Sequence, residues 1–235
     1  FFAAFALNVV ALFARLRLVV THEYEAQMGE RELAPTPVGE LFSEKGRHVV
    51  IGAFAALASY ALFHIVTIFP LSWILLYSEQ PLDGFLWVQV LGAFLAVGGV
   101  IASGLLADRF GRVRTLGAFA VLIALFSFVA PFLMDGGNAG QDAFILIGFV
   151  LLGLSYGQAS GALTRNFGSR YRYTGAALTS DLAWLIGAAF APLVALWLSA
   201  HFGLVYVGAY LLSGAVCTLL ALGTNRWLTQ RTAQA

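Results

Sequence analysis

Between two long apolar stretches of the chain lies the sequence Gly104-Leu105-Leu106-Ala107-Asp108-Arg109-Phe110-Gly111-Arg112-Val113-Arg114. Glycine accepts backbone conformations that are closed to other residues, so Gly111 permits a tight turn between two antiparallel helices. Arginines at the end of an apolar helix stay at the level of the lipid headgroups. This stretch therefore predicts a short basic turn that joins two membrane-spanning helices.

The other basic residues are distributed in the same way along the chain. All thirteen Lys and Arg residues fall at the C-terminal end of the first apolar stretch, in alternate connections between the later stretches or near the C-terminus. The connections at residues 78–84, 135–142 and 199–203 contain none. Cytoplasmic loops hold Lys and Arg because moving these charges across the membrane is unfavourable. We therefore expect the basic connections and the C-terminus to be cytoplasmic and the N-terminal end to lie outside.

The composition also indicates a membrane protein. Of the 235 residues 60% are apolar and 11% are charged, whereas a soluble domain usually carries about 25% charged residues. A water-soluble protein of this composition would expose large apolar patches, which lipid covers naturally. The single cysteine, Cys217, excludes an internal disulfide and cannot hold a metal cluster alone. We expect no metal and no other cofactor.

Seven stretches are apolar enough, and near enough to the roughly 20 residues that a bilayer requires, to be predicted as spans. They cover residues 1–18, 48–77, 85–107, 115–134, 143–163, 174–198 and 204–223. The predicted fold class is an all-α polytopic membrane protein with seven transmembrane helices. The second span is long, and Pro70 is its expected bend. Because the chain opens inside an apolar stretch, we expect the first helix to be truncated and an upstream part to be missing.

The stretch quoted first resembles the G-x-L-A-D-R-x-G-R signature of the major facilitator superfamily, which follows the second helix of each six-helix half. The resemblance implies that residues 48–224 form the six-helix C-terminal bundle of a twelve-helix transporter. It also implies that residues 1–20 end the preceding half, that residues 21–47 form the central cytoplasmic loop, and that residues 225–235 form a cytoplasmic tail. The missing N-terminal half is then a partner of this chain.

The signature is predicted to control conformation rather than to bind substrate. We expect Gly104 to allow close helix approach and Asp108 to accept backbone N–H groups at a neighbouring helix N-terminus. In the superfamily this loop grips the opposite half in the outward-open state. The residues that match the signature in this role are Gly104, Asp108, Arg109, Gly111 and Arg112.

A second patch resembles one branch of the superfamily. The sequence Arg170-Tyr171-Arg172-Tyr173-Thr174-Gly175-Ala176, followed by Gly187 and Pro192, is similar to a run in the metabolite:proton symporters. That branch moves organic acids, betaine, proline and related solutes. The resemblance implies a secondary active transporter of a small polar metabolite, proton-coupled and not an enzyme, in the inner (plasma) membrane. The acid that usually precedes the run is replaced here by Arg165.

Polar side chains inside spans are costly and usually face a cavity or a partner helix. The candidates for substrate binding or coupling are Asp181, Gln158, His64, Tyr60 and Trp184. Asp181 is the only acid within a predicted span interior, although a satisfied structural carboxylate is the alternative. His64 shares a helix face with Tyr60 and Thr67, which equally fits a polar seam between helices. Gln89 lies near an outer helix end, where an interfacial role is expected.

Helix rise allows these candidates to be grouped by depth. At about 1.5 Å per residue, Asp181 and Gln158 lie at a similar level, about 8–12 Å from the inner helix ends, and His64 lies about 12 Å further out. We therefore expect Asp181 to group with Gln158 and His64 to group with Tyr60, and we exclude a direct pair of Asp181 with His64.

The main alternative is a seven-helix receptor, because Asp108-Arg109-Phe110 stands where many receptors carry an acid-Arg-aromatic triplet. A retinal protein is excluded because the only lysine, Lys45, lies in a polar segment. The chain shows no Ser/His/Asp set and no H-E-x-x-H pattern, so an intramembrane enzyme is not expected. The expected partners are a small-molecule substrate, a proton and the lipid bilayer, but no nucleic acid.

Overall fold

The computed structural model describes residues 9–11, 13, 36–159, 161 and 164–234. Outside the short N-terminal pieces, these residues form eight α-helices and one 3-10 turn at Thr164–Phe167. The α-helices are α1 (Val38–Thr67), α2 (Phe69–Tyr77), α3 (Leu82–Phe110), α4 (Arg112–Asp135), α5 (Gly137–Ala159), α6 (Gly168–Gly187), α7 (Ala191–Phe202) and α8 (Leu204–Gln234).

Six helical segments of the described chain are long and apolar enough to cross a membrane, with α1–α2 and α6–α7 each making one span. The predicted all-α polytopic membrane fold is therefore confirmed. Of the predicted first span, only residues 9–11 and 13 are described, and they are helical. The remainder of that prediction lies outside the described residues.

Several helices extend beyond the predicted spans. Helix α1 begins at Val38, ten residues before the predicted start, because Pro37 (φ −55°) precedes it and the residues that follow tolerate a helix. Helix α8 continues to Gln234 through the predicted tail. Hydropathy predicts only the apolar part of each of these two helices. The helices themselves continue beyond it, α1 through charged first turns and α8 through polar last turns.

The connections between antiparallel helices are accordingly shorter than the predicted loops. A single glycine, Gly111, joins α3 to α4 with φ +87°, and Gly203 joins α7 to α8 with φ +93°. Both conformations lie in the region that favours glycine. The predicted tight turn at Gly111 is confirmed, and its N–H donates to the carbonyl of Ala107 at 2.8 Å.

Two spans are interrupted near a proline. The span formed by α1 and α2 breaks at Ile68, two residues before Pro70, as predicted. Proline has no N–H for the ladder, and the amide of Gln89 donates to the nearby carbonyl of Thr67 at 3.0 Å. Gln89 therefore caps a broken helix instead of lying only at the interface. The span formed by α6 and α7 breaks at residues 188–190, just before Pro192.

Helix α1 lies at the centre of the bundle. The apolar stretch of the span that α1 forms with α2 is 78% buried within the described chain, whereas that of α3 is 22% buried. The hydroxyl of Thr218 on α8 donates to the carbonyl of Phe54 at 3.1 Å and accepts the N–H of Ala58 at 2.9 Å. A buried bridge of this kind ties the central helix to α8 where lipid offers no hydrogen bonds.

The closest helix approach is between α3 and α5, and it does not occur at Gly104. A methyl group at Gly153 would lie 2.7 Å from the Cα and from the carbonyl carbon of Ala96, and Gly99 faces the backbone of α5 in the same way. Nothing lies within 4 Å of a methyl group placed at Gly104. The prediction that Gly104 allows close packing is therefore wrong for this bundle, because Gly104 lies on a different face of α3.

Candidate functional site

Five aromatic or imidazole rings from three helices meet where α1, α5 and α6 pack together. This aromatic cluster consists of Tyr60, Phe63 and His64 on α1, Tyr156 on α5 and Trp184 on α6. The Trp184 ring is central, with centroid distances of 4.9 Å to Tyr60, 5.3 Å to Phe63 and 5.6 Å to His64. Three of the predicted candidates, Tyr60, His64 and Trp184, are thus brought together.

The break between α6 and α7 lies directly beside this cluster. The carbonyl of Trp184 accepts the N–H groups of Ala188 and Ala189, at 2.9 and 3.0 Å. Gly187 lets α6 pack closely on α1, since a methyl group there would lie 3.3 Å from both the Leu57 carbonyl oxygen and Tyr60 Cβ. This close contact places Trp184 against the rings of α1.

Nδ1 of His64, a member of the cluster, is buried and has no hydrogen-bond partner in the described part of the chain. The same is true of Oγ of Ser59 and Oγ1 of Thr179, elsewhere on α1 and α6. A buried polar group without a partner costs free energy, so native proteins rarely leave such groups unpaired. Such atoms are suited to bind water, a proton or a polar ligand.

Asp181 is exposed on α6, and it forms no hydrogen bond or ion pair with the described residues. It lies close enough to Tyr60 to interact with the phenol electrostatically. Asp181 and His64 are linked through Tyr60 and Trp184 rather than by direct contact. The predicted exclusion of a direct pair agrees with this arrangement.

Gln158 occupies a different position from the one expected. Its side-chain amide is buried, with 5% of the residue exposed, and donates to Oγ of Ser103 on α3 at 2.9 Å. The structure thus differs from the predicted grouping of Asp181 with Gln158. Helix rise gives the depth of a residue but not the direction in which its side chain points, and Gln158 points toward α3. Its observed contact joins two helices.

The signature residues lie at the end of the bundle that carries Gly111. Asp108, Arg109 and Arg112 are exposed there. A methyl group at Gly161 would lie 2.9 Å from a guanidinium nitrogen of Arg112, so this arginine covers the connection that follows α5. Asp108 accepts no backbone N–H among the described residues, which differs from the predicted bond to a helix N-terminus. Its carboxylate is exposed on the surface of the described bundle.

The second patch ties the first turn of α1 to α6. The carboxylate of Glu40 forms an ion pair with Arg170 and accepts the Tyr171 hydroxyl at 3.0 Å. The N–H of Thr36 donates to Oγ1 of Thr174 at 3.0 Å. Sequence reasoning missed Glu40 and Thr36 because both lie in the polar segment predicted as a loop.

Gly175 and Phe167 explain two further positions of this patch. The Phe167 ring is buried, and a methyl group at Gly175 would lie 2.6 Å from its Cγ. Glycine is therefore required where the 3-10 turn folds against α6. The interactions of this patch are structural in the described bundle, and they orient the helix that carries Asp181 and Trp184.

Sequence reasoning did not place Phe63 or Tyr156 in this cluster. Phe63 lies between Tyr60 and His64 on the same helix, and its apolar character hid it among many core phenylalanines. Tyr156 is 37% exposed and contacts three rings of the cluster. Its spacing of two residues before Gln158 was the available signal. Among the described residues, no group of three or more His, Cys, Asp or Glu side chains is placed to hold a metal ion.

Comparison with known proteins places this architecture among bacterial transport proteins. The chain is 33% identical over 223 residues to the inner membrane metabolite transport protein YhjE of Escherichia coli, a match that covers 92% of this chain and 50% of that protein. It is 31% and 29% identical to two putative metabolite transport proteins of Haemophilus influenzae, with 94% of this chain covered in each case. No protein-family model and no solved structure matches the chain.

The chain spans about half the length of the relatives that it matches, with 50–53% of each covered. These relatives do not favour the receptor alternative, since all three are named as transport proteins. Six apolar helical spans and the Gly104–Arg114 signature agree with this relationship. The chain is therefore similar over almost its whole length to metabolite transport proteins, and the extent of the match is consistent with the C-terminal half of a major facilitator superfamily transporter, as the Gly104–Arg114 resemblance implies.

Proposed function

We propose that this chain forms one half of a secondary transporter that moves a small polar metabolite together with a proton by alternating access. The observation that carries the proposal is the exposed carboxylate of Asp181 beside the aromatic cluster, on the helix that breaks before Pro192. Discontinuous helices near the bilayer midplane are a common setting for substrate and coupling-ion sites in transporters.

The surroundings of Asp181 suit a polar solute. A carboxylate within a membrane span is costly unless it meets water, a cation or a hydrogen-bond donor. The described bundle offers it no ion-pair partner, so water, the other half or the solute must provide one. Aromatic rings such as Trp184 and Tyr156 bind cationic or apolar parts of a ligand through their faces. Organic acids, betaines and amino-acid-like solutes are therefore the proposed substrate class.

Two roles for Asp181 follow from this setting. As a binding residue it contacts a cationic or hydroxyl-bearing part of the substrate. As a coupling residue it binds and releases the transported proton, with Tyr60 and His64 nearby to relay hydrogen bonds. Trp184 forms the wall between these groups, and Gln158 fixes the spacing of α3 and α5 behind it.

The signature residues are proposed to act on conformation. Asp108 and Arg109 are exposed at the Gly111 end, whereas the aromatic cluster lies between α1, α5 and α6. Their free charges suit contacts with the other half in one conformational state. The basic connections support a cytoplasmic location for this end of the bundle and for the C-terminal end of α8.

The test uses the full-length transporter reconstituted into vesicles, with organic acids, betaines and amino acids offered under an imposed pH gradient. Asp181→Asn keeps the shape and removes the charge, and Asp135→Asn at the far end of α4 is the matched control. If Asp181 exchanges the proton, the variant loses gradient-driven accumulation but retains substrate exchange. If Asp181 binds substrate, both activities fall together as affinity weakens. Normal uptake with unchanged pH dependence would refute both roles.

A further inference from the structure

A groove opens between α4 and α8 at the end of the bundle that carries Gly111. Its volume is about 480 Å³, and its walls include Arg114 and Gly117 from α4 and Gly223 and Arg226 from α8. It is separate from the aromatic cluster, which lies between α1, α5 and α6. The function proposed above does not use this groove.

The two walls are related by the antiparallel packing of their helices. Helix α4 runs away from the Gly111 end and α8 runs toward it, so Arg114 precedes Gly117 by three residues and Arg226 follows Gly223 by three. Three residues correspond to about 4.5 Å of helix rise. Both arginines therefore lie at one level near the end of the bundle, and both glycines lie at a deeper level.

The deeper part of the groove is apolar and open. Leu222 forms part of its wall and belongs to a small buried core with Leu116. A methyl group at Gly117 would touch Leu222 at 3.6 Å, whereas nothing lies within 4 Å of one at Gly223. The two glycines thus leave a channel along the bundle surface that an alkyl chain can follow.

The rim of the groove is positively charged. No Asp or Glu is among its described walls, and Arg114 and Arg226 are exposed without an ion-pair partner among the described residues. Paired guanidinium groups bind phosphate oxygens with charge-assisted hydrogen bonds. Basic pockets between transmembrane helices are a recurrent setting for anionic lipid headgroups.

We propose that this groove binds one anionic phospholipid, with its phosphate between Arg114 and Arg226 and an acyl chain along Gly117 and Gly223. The charge of the rim selects the headgroup, and the apolar channel selects a lipid over a free anion. The bilayer itself supplies the ligand. This inference requires only that the Gly111 end lies at the level of the headgroups, so it stands apart from the transport proposal.

Native mass spectrometry of the delipidated 235-residue chain tests the proposal. The protein is titrated with phosphatidylglycerol and with phosphatidylcholine of the same acyl chains, and we expect the anionic lipid to bind at least tenfold more tightly. Replacing both arginines, Arg114→Gln with Arg226→Gln, is expected to weaken phosphatidylglycerol binding roughly 30-fold, since each arginine near an anionic lipid contributes about fivefold. Arg47→Gln, an exposed arginine on α1, is the matched control and should leave binding unchanged.

A second variant tests the channel without altering charge. Gly223→Phe fills open space and should weaken phosphatidylglycerol binding while both arginines remain. Equal affinity for the two lipids, unchanged binding in the double arginine variant, or an equal loss in Arg47→Gln would overturn the proposal. Displacement of the lipid by inorganic phosphate at equal concentration would also overturn it, because the acyl chain would then contribute nothing.

Discussion

Replacing Gly153 by alanine tests the contact between α3 and α5. The added methyl group would lie 2.7 Å from two backbone carbons of Ala96, whereas ordinary contacts begin at 3.4 Å. The two helices must therefore separate by at least about 0.7 Å, and backbone atoms cannot rotate away as a side chain can. Overpacking of this kind costs about 1–3 kcal/mol. Separation also strains the Gln158–Ser103 hydrogen bond, which contributes about 0.6–2 kcal/mol in a membrane.

We expect Gly153→Ala to lower the free energy of unfolding by about 0.6–4 kcal/mol, which is the sum of these two effects less the roughly 1 kcal/mol by which alanine favours helix over glycine. Unfolding of the purified chain is followed by circular dichroism during titration with a denaturing detergent. The matched control is Gly98→Ala on α3, where nothing lies within 4 Å of the added methyl group. Alanine favours helix over glycine by about 1 kcal/mol, so this control should be neutral or stabilising.

The reasoning fails if Gly153→Ala is as stable as Gly98→Ala. A second test adds Ser103→Ala to the wild-type chain and to Gly153→Ala. The hydrogen-bond part of the reasoning fails if Ser103→Ala lowers the free energy of unfolding equally in both. That result would mean that the hydrogen bond is unaffected by helix separation. The double-variant comparison therefore distinguishes the packing contribution from the hydrogen-bond contribution.

Three further outcomes are expected. Cysteines placed at Gly137 and at Gly111 in the full-length transporter should label from opposite sides of sealed cells, with Gly137 outside; labelling from one side would contradict the orientation. Asp108→Asn should slow transport but change substrate affinity by no more than a few-fold, and a hundredfold loss of affinity would argue for direct substrate contact. Arg170→Gln should lower the free energy of unfolding by at most about 1 kcal/mol, since its side chain is 67% exposed, and Arg172→Gln should change it less. If the two variants change the free energy of unfolding equally throughout a salt titration, the Arg170–Glu40 ion pair has no role in stability.

The spans and the first helix break were predictable from the sequence because they depend on local properties. Hydropathy over about 20 residues defines a span regardless of its neighbours. Pro70 lacks an N–H wherever it lies, and Gly111 has the freedom that a one-residue turn requires. The helix ends were less predictable, since charged residues near Glu40 continue a helix into water as readily as they form a loop.

The contacts between helices were predictable only in part. Tyr60, His64 and Trp184 do meet, because spacing placed two of them on one face of α1. Gln158 turns toward Ser103 and Gly104 faces open space, and neither orientation can be derived from depth or from a signature. The side that a residue faces is determined by which helices pack together, and that pairing depends on residues distant in sequence such as Gly99 and Gly153.

The one-residue connections at Gly111 and Gly203 have a mechanical consequence. A turn of one residue has no spare length, so the helices on either side cannot slide or splay at that end without breaking the turn. We therefore expect motion within this bundle to be concentrated at the interruptions of two spans, at Ile68 and at residues 188–190, where the regular helical hydrogen-bond pattern is interrupted just before Pro70 and Pro192. The described bundle is thus expected to bend within its membrane spans, whereas the one-residue turns at its surface keep the neighbouring helix ends together.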